Sequence, residues 1–153
     1  MRDFPITDLL DGNYSVFVTS DQPVFATAKA AIGNDAGTPR IDFTWLGAAE
    51  PLTAARAIMT SAVIPPAGAS YLVLANPVND VRSVTVTSLE TGVETVVSVP
   101  AQGSSLLGIT GAVAVSSDTE VFASVALLLN GQISSLALYQ PTNLGNSVQV
   151  RFR

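Results

Sequence analysis

One stretch of this chain is written twice. Residues 16–26 (the first copy) read Val-Phe-Val-Thr-Ser-Asp-Gln-Pro-Val-Phe-Ala, and residues 113–123 (the second copy) read Val-Ala-Val-Ser-Ser-Asp-Thr-Glu-Val-Phe-Ala. Each position is offset by 97 (113 − 16), and Leu9-Leu10 recurs as Leu106-Leu107 at the same offset. Repetition at a fixed period indicates that one structural unit was copied along the chain. Whatever the first copy builds, the second copy should therefore build again.

Each copy is predicted to form a β-hairpin. Over 14–19, successive side chains can lie on opposite faces with the period of two that defines a strand, and an apolar run follows over 24–32. Between them, Asp21 and Pro23 suit a tight turn, because Asp bonds nearby backbone N–H groups and Pro fixes φ. Pro23 becomes Glu120 in the second copy, whereas Asp21 is kept as Asp118. We therefore expect the Asp to make the turn.

The duplicated Asp residues could alternatively be a pair of catalytic carboxylates. Aspartic proteases carry such a pair in the motif Asp-Thr/Ser-Gly, whereas Asp21 is followed by Gln-Pro and Asp118 by Thr-Glu. The missing Gly favours turn chemistry. No catalytic, cofactor-binding or metal-binding residue is therefore assigned, and no cofactor is expected.

Composition excludes several classes of function. The net charge is −5 and Lys29 is the only lysine, which argues against nucleic acid and against a polybasic membrane contact. The chain has no His and no Cys, so Ser-His-Asp catalysis, disulfides, thiolate chemistry and most zinc sites are ruled out. The longest apolar run, 121–129, is too short for a membrane-spanning helix, which needs about 18 residues or more. We therefore expect no membrane-spanning segment.

Residues 41–47 are predicted to form a strand with Phe43 and Trp45 on one face. An exposed Trp could stack on a sugar ring. The second copy is expected to keep this face as Leu136 and Leu138, after a shortened loop at 130–131, which favours a core role for Trp45. A carbohydrate site would need a row of exposed aromatic side chains. The available ones are Tyr14, Phe17, Trp45, Tyr71 and Tyr139.

The rest of the chain reads as short strands separated by turn residues, which is typical of a β-sandwich. The strands are predicted near 57–64, 71–75, 83–88, 93–99, 104–107 and 147–153. The clearest boundary is Pro-Pro-Ala-Gly at 65–68. We predict an all-β fold, an immunoglobulin- or fibronectin-III-like antiparallel β-sandwich present in about one and a half repeats.

The half repeat defines the predicted domains. Residues 1–64 are expected to be the C-terminal half of one repeat, packed on the rest of the chain or on another chain, and residues 67–153 to be a complete repeat. Half a sandwich leaves an apolar face and open edges. We therefore expect residue 1 to be the start of a fragment, with a signal or anchor segment upstream.

Several motifs carry a resemblance. Residues 71–77 read Tyr-Leu-Val-Leu-Ala-Asn-Pro, residues 84–87 Val-Thr-Val-Thr and residues 99–101 Val-Pro-Ala. With the two copies, they resemble a module of large secreted or membrane-anchored actinobacterial proteins, although Gln102 and Glu120 depart from the module's pattern. The resemblance implies an immunoglobulin-like fold and an extracellular or cell-envelope location. It implies no functional residue.

The leading hypothesis for function is a non-enzymatic module, such as a spacer, stalk or assembly domain. The mean hydropathy of +0.42 with 12% charged residues suggests that a partner covers part of the surface. That partner is expected to be protein, through self-association or neighbouring repeats. The alternatives are a module that binds cell-wall carbohydrate and, less favoured, a hydrolase that uses two carboxylates.

Overall fold

The computed structural model describes residues 4–6, 10, 14–32, 42–49, 51–52, 57–60, 68–129 and 132–138. Within these ranges the chain is all-β and has no helix. The predicted fold class, an all-β protein of antiparallel strands, is confirmed. The strands are β1 (Thr27–Ile32), β2 (Asp42–Gly47), β3 (Pro51–Leu52), β4 (Ala57–Thr60), β5 (Gly68–Ala75), β6 (Arg82–Ser88), β7 (Glu94–Val99), β8 (Ser104–Gly108), β9 (Ala112–Ser116), β10 (Val121–Leu129) and β11 (Gln132–Ala137).

Two larger sheets share one core. The first has the order β11-β10-β5-β8, with β3 also paired to β10, and the second has the order β4-β9-β6-β7. Both sheets contribute buried side chains to one apolar cluster, as expected for a β-sandwich. Alternation decides which residues enter it: Leu72 and Leu74 of β5 are fully buried, whereas Val73 between them is not. The cluster contains Leu52, Leu72, Leu74, Val84, Val86, Val99, Ile109, Val113, Val115, Val121, Ala123 and Val125.

A separate hairpin, β1–β2, lies beside the first sheet. β2 is next to β11, and the Asp42 carboxylate accepts a hydrogen bond from the backbone N–H of Ile133 at 2.8 Å. The hairpin therefore lies beside β11, the edge strand of the first sheet.

The predicted hairpin within each copy is wrong. In the second copy, β9 pairs with β4 and β6, whereas β10 pairs with β3, β5 and β11. The link over 117–120 therefore crosses from one sheet to the other. In the first copy, residues 14–26 form no strand, and β1 begins only at Thr27. Alternating apolar and polar residues predict that two strands are present. They do not show whether the two strands pair in a hairpin or lie in two facing sheets, because every second side chain is buried in both cases.

The short strands β3 and β4 precede the predicted domain boundary in the sequence, but they pair with strands of the sandwich. β3 pairs with β10 and β4 with β9, and Leu52 of β3 is fully buried in the common core. Residues 51–52 thus belong to the first sheet of the sandwich and residues 57–60 to the second. Of the predicted boundary at 65–68, only Gly68 is described, as the first residue of β5. The predicted strand at 147–153 lies outside the described residues.

We predict that Leu52→Ala lowers the free energy of unfolding by about 2–5 kcal/mol, the usual cost of a cavity at a fully buried Leu. Urea unfolding followed by circular dichroism measures it. Leu89→Ala is the matched control, because Leu89 is 41% exposed in the turn after β6. If both variants lose equally little, β3 is not part of the core.

The buried side chain of Asn76 ties two loops together. Its amide Nδ2 donates to the backbone oxygens of Asp80 (2.7 Å), Pro100 (3.0 Å) and Val99 (3.3 Å). Its Oδ1 accepts from the N–H of Val78 at 3.2 Å. The loop after β5 and the end of β7 are therefore held by one amide. The Asn-Pro and Val-Pro-Ala motifs thus meet in space, and Asn76 supplies the contact.

Candidate interaction surface

The hairpin after each copy has the same strand register. Thr27 pairs with Gly47 in β1–β2, and Ser124 pairs with Ala137 in β10–β11. The first strands correspond at an offset of 97 (124 − 27) and the second strands at an offset of 90 (137 − 47), and each hairpin has six paired positions. The same local structure is therefore built twice, with a loop seven residues shorter (97 − 90) in the second case.

This register corrects the expected match of the aromatic residues. At an offset of 90, Phe43 corresponds to Ile133 and Trp45 to Ser135. The predicted match to Leu136 and Leu138 is wrong, because its offset of 93 (136 − 43) implies a loop only four residues shorter (97 − 93). The comparison with Leu that favoured a core role for Trp45 therefore does not hold.

The turn in each copy is made by Ser and not by Asp. The Ser20 hydroxyl oxygen accepts from the N–H of Gln22 at 3.2 Å, and that of Ser117 accepts from the N–H of Thr119 at 3.3 Å. Asp21 and Asp118 are exposed, and neither carboxylate bonds to another described residue. A Ser hydroxyl makes the same two-residue turn as Asp, so the sequence pattern could not separate the two. The expectation that Asp makes the turn is wrong.

Corresponding apolar side chains have opposite environments in the two copies. Three identical Val residues are buried in the second copy and exposed in the first. The exposed fractions are 56% and 4% for Val16 and Val113, 61% and 0% for Val18 and Val115, and 58% and 0% for Val24 and Val121. The second copy therefore builds a core that the first copy leaves open. We call Val16, Val18 and Val24 the open face.

A ring contact explains part of this difference. Phe122 lies between the core residues Val121 and Ala123 in β10, so its ring points away from the core. Phe17 packs against that ring edge-to-face, with centroids 6.2 Å apart. The segment that carries Phe17 therefore lies on the outer surface of the first sheet, on the side away from the core.

Aromatic rings are also exposed on the β1–β2 hairpin. Phe43 and Trp45 are 50% and 52% exposed, so the predicted core role of Trp45 is wrong. The ammonium group of Lys29 lies 4.1 Å from the ring centroid of Phe43 and 5.6 Å from that of Trp45. These distances are within the range of cation–π attraction. The hairpin thus presents two rings and one cation together.

The other candidate aromatic residues do not extend this pair. Tyr14 and Phe17 are exposed on the N-terminal segment, and Tyr71 is partly buried in β5. Tyr139 lies outside the described residues. In the ranges that the structure describes, we find neither a group of three or more potential metal-ligating acids nor a membrane-crossing helix.

Comparison with known proteins gives one match. Residues 2–110 match the model of a protein family that is described as Family of unknown function (DUF5719). The match covers more than half of the 153 residues. The chain belongs to this family. No curated protein and no solved structure matches it.

The DUF5719 match covers both the β1–β2 hairpin and most of the sandwich. It includes the first copy, the β1–β2 hairpin and the strands of the sandwich through β8, and it ends before β9. Asn76 and the open face therefore both lie within the DUF5719 residues, whereas the second copy lies outside them.

Proposed function

We propose that this chain is a non-enzymatic structural and interaction module, a spacer or assembly domain of an exported cell-envelope protein. The observation that carries the proposal is the open face. The same Val residues form a core in one copy and are exposed in the other, next to a hairpin of the same register. The second copy buries these side chains against a facing sheet. The exposed Val residues of the first copy are therefore suited to packing against another unit.

The proposed location rests on the resemblance and on the repeat architecture. The motifs at 71–77, 84–87 and 99–101 resemble modules of secreted or membrane-anchored actinobacterial proteins with immunoglobulin-like folds. Repeated sandwich modules are suited to building length, because each unit adds rigid structure without needing a chemical site. The partner that we propose is protein, either another copy of this chain or a neighbouring repeat.

Multi-angle light scattering over a range of concentrations tests the proposal. We expect the chain to associate and Val24→Asp to shift it toward monomer, because the new charge would be buried in the contact. Val96→Asp is the matched control, since Val96 is also well exposed (68%, against 58% for Val24) but lies in β7 of the second sheet. A chain that is monomeric at every concentration, or equal effects of both substitutions, would contradict association through this face.

Carbohydrate binding is a second candidate, supported by the exposed rings of Phe43 and Trp45. A sugar stacked there would change the fluorescence of Trp45, the only Trp in the chain. Titration with cell-wall polysaccharide therefore separates the two functions. A saturable change that Phe43→Ala removes, in a chain that stays monomeric, would favour the carbohydrate site over the assembly module.

A further inference from the structure

Strand β10 is paired along both of its edges. On one edge it pairs with β11, and on the other it pairs with β5 over eight positions, from Phe122 opposite Ala75 to Leu129 opposite Gly68. β1 repeats the pairing of β10 with its hairpin partner, but among the described residues it pairs only with β2. The edge of β1 that corresponds to the β5-binding edge of β10 therefore carries no described strand.

This edge lies on the β1–β2 hairpin, which forms a separate two-stranded sheet. Its strand β2 lies beside β11, the edge strand of the first sheet. An unpaired strand edge presents backbone N–H and C=O groups that can pair with an added strand. The only charged residue of β1 is Lys29, and its ammonium group lies over the rings of Phe43 and Trp45. β1 also has no Pro, so neither of the usual devices blocks the edge.

The side chains of β1 leave room for the kind of strand that β10 binds. In the sandwich, Leu74 lies opposite Ala123 and Leu72 opposite Val125. At the offset of 97, the corresponding residues of the first copy and β1 are Ala26 and Ala28. These side chains are no larger than their counterparts, so two Leu residues can be accommodated opposite them.

We infer that the edge of β1 that has no partner among the described residues is a strand-acceptor site for an extended, uncharged segment with the alternating pattern of β5, supplied by another unit of the same kind. The segment pairs antiparallel to β1 in the β10–β5 register, with Leu72 of the incoming strand opposite Ala28. Its Leu side chains extend the apolar contact toward Val24 of the open face. The inference rests on the proposed function and identifies the chemistry of the partner.

Peptide titration into the full chain tests this inference. The peptide has the sequence of residues 68–75 with added terminal Lys residues, and Trp45 reports binding because it lies directly opposite Lys29 of β1. A peptide with Val73→Pro is the control, since Pro removes a backbone donor and disrupts strand pairing. We expect a saturable change with the first peptide and none with the second.

Two chain variants localise the binding. Ala28→Asp places a charge opposite the incoming Leu72 and should weaken binding about tenfold or more, whereas Ala31→Asp, on the other face of β1, should change it less than about twofold. Equal binding of both peptides, or no binding, would overturn the strand-acceptor site. If Val24-dependent association is seen without peptide binding, the proposed function stands and only the strand-acceptor site fails. If the peptide binds to a chain that stays monomeric, self-association fails and the acceptor site stands.

Discussion

Asn76→Asp should lower the free energy of unfolding by about 4 kcal/mol or more, because a buried charge would face three carbonyl oxygens. The two hydrogens of the Asn76 amide are shared among the backbone oxygens of Asp80, Val99 and Pro100. A carboxylate has none to donate and can only accept from the N–H of Val78. The substitution keeps the shape of the side chain, so the loss comes from the missing donors and the buried charge and not from a cavity.

Urea unfolding followed by circular dichroism measures this loss. Asn79→Asp is the control, since Asn79 is exposed in the same loop and should change stability by less than about 0.5 kcal/mol. Asn76→Leu should also destabilise, by roughly 3 kcal/mol, because it leaves the same backbone groups without partners. If Asn76→Asp is no worse than Asn79→Asp, the amide does not hold the two loops.

Val115→Asp should abolish folding of the sandwich, whereas Val18→Asp at the corresponding position should leave its stability within about 0.5 kcal/mol. Val115 is fully buried between the two sheets, and Val18 is 61% exposed. The substitution and the position in the repeat are the same, and the flanking residues are Phe17 and Thr19 in one copy and Ala114 and Ser116 in the other. Burial is the main difference, so comparing the two variants measures the core that one copy builds and the other does not.

This pair is compared by circular dichroism and thermal unfolding at a dilution where the chain is monomeric. Val121→Asp and Val24→Asp provide an independent second pair, with Val121 fully buried and Val24 58% exposed. Equal losses within either pair would mean that the first copy is buried in the same way as the second.

The strands of the sandwich could be predicted because local alternation and burial agree there. Residues 83–88 alternate Val and Thr, and Val84 and Val86 enter the core while Thr85 between them does not. An antiparallel all-β fold follows from several such segments separated by turn residues. For these strands the sequence pattern and the packing carry the same information.

The links between strands could not be predicted in this way. The link at 117–120 crosses between sheets because β6 pairs with β9 and β5 with β10, and those partners are distant in the sequence. The expected burial of Trp45 depended on a match to Leu138, which is three positions out of the observed register (93 − 90). The role of Asn76 requires Pro100, 24 residues away (100 − 76), to come within hydrogen-bonding distance. Each of these features depends on contacts between residues that are distant in the sequence, and a local sequence pattern does not predict such contacts.

Amide hydrogen exchange, followed residue by residue on the full chain, tests most directly whether the duplicated pattern is completed once and left open once. We predict slow exchange at consecutive amides of 124–129, because β10 is paired on both edges, and slow exchange only at alternate amides of 27–32, because β1 is paired on one. Residues 15–19 should exchange rapidly, whereas 112–116 should be protected. Uninterrupted protection along 27–32, together with protection at 15–19 equal to that at 112–116, would contradict the account.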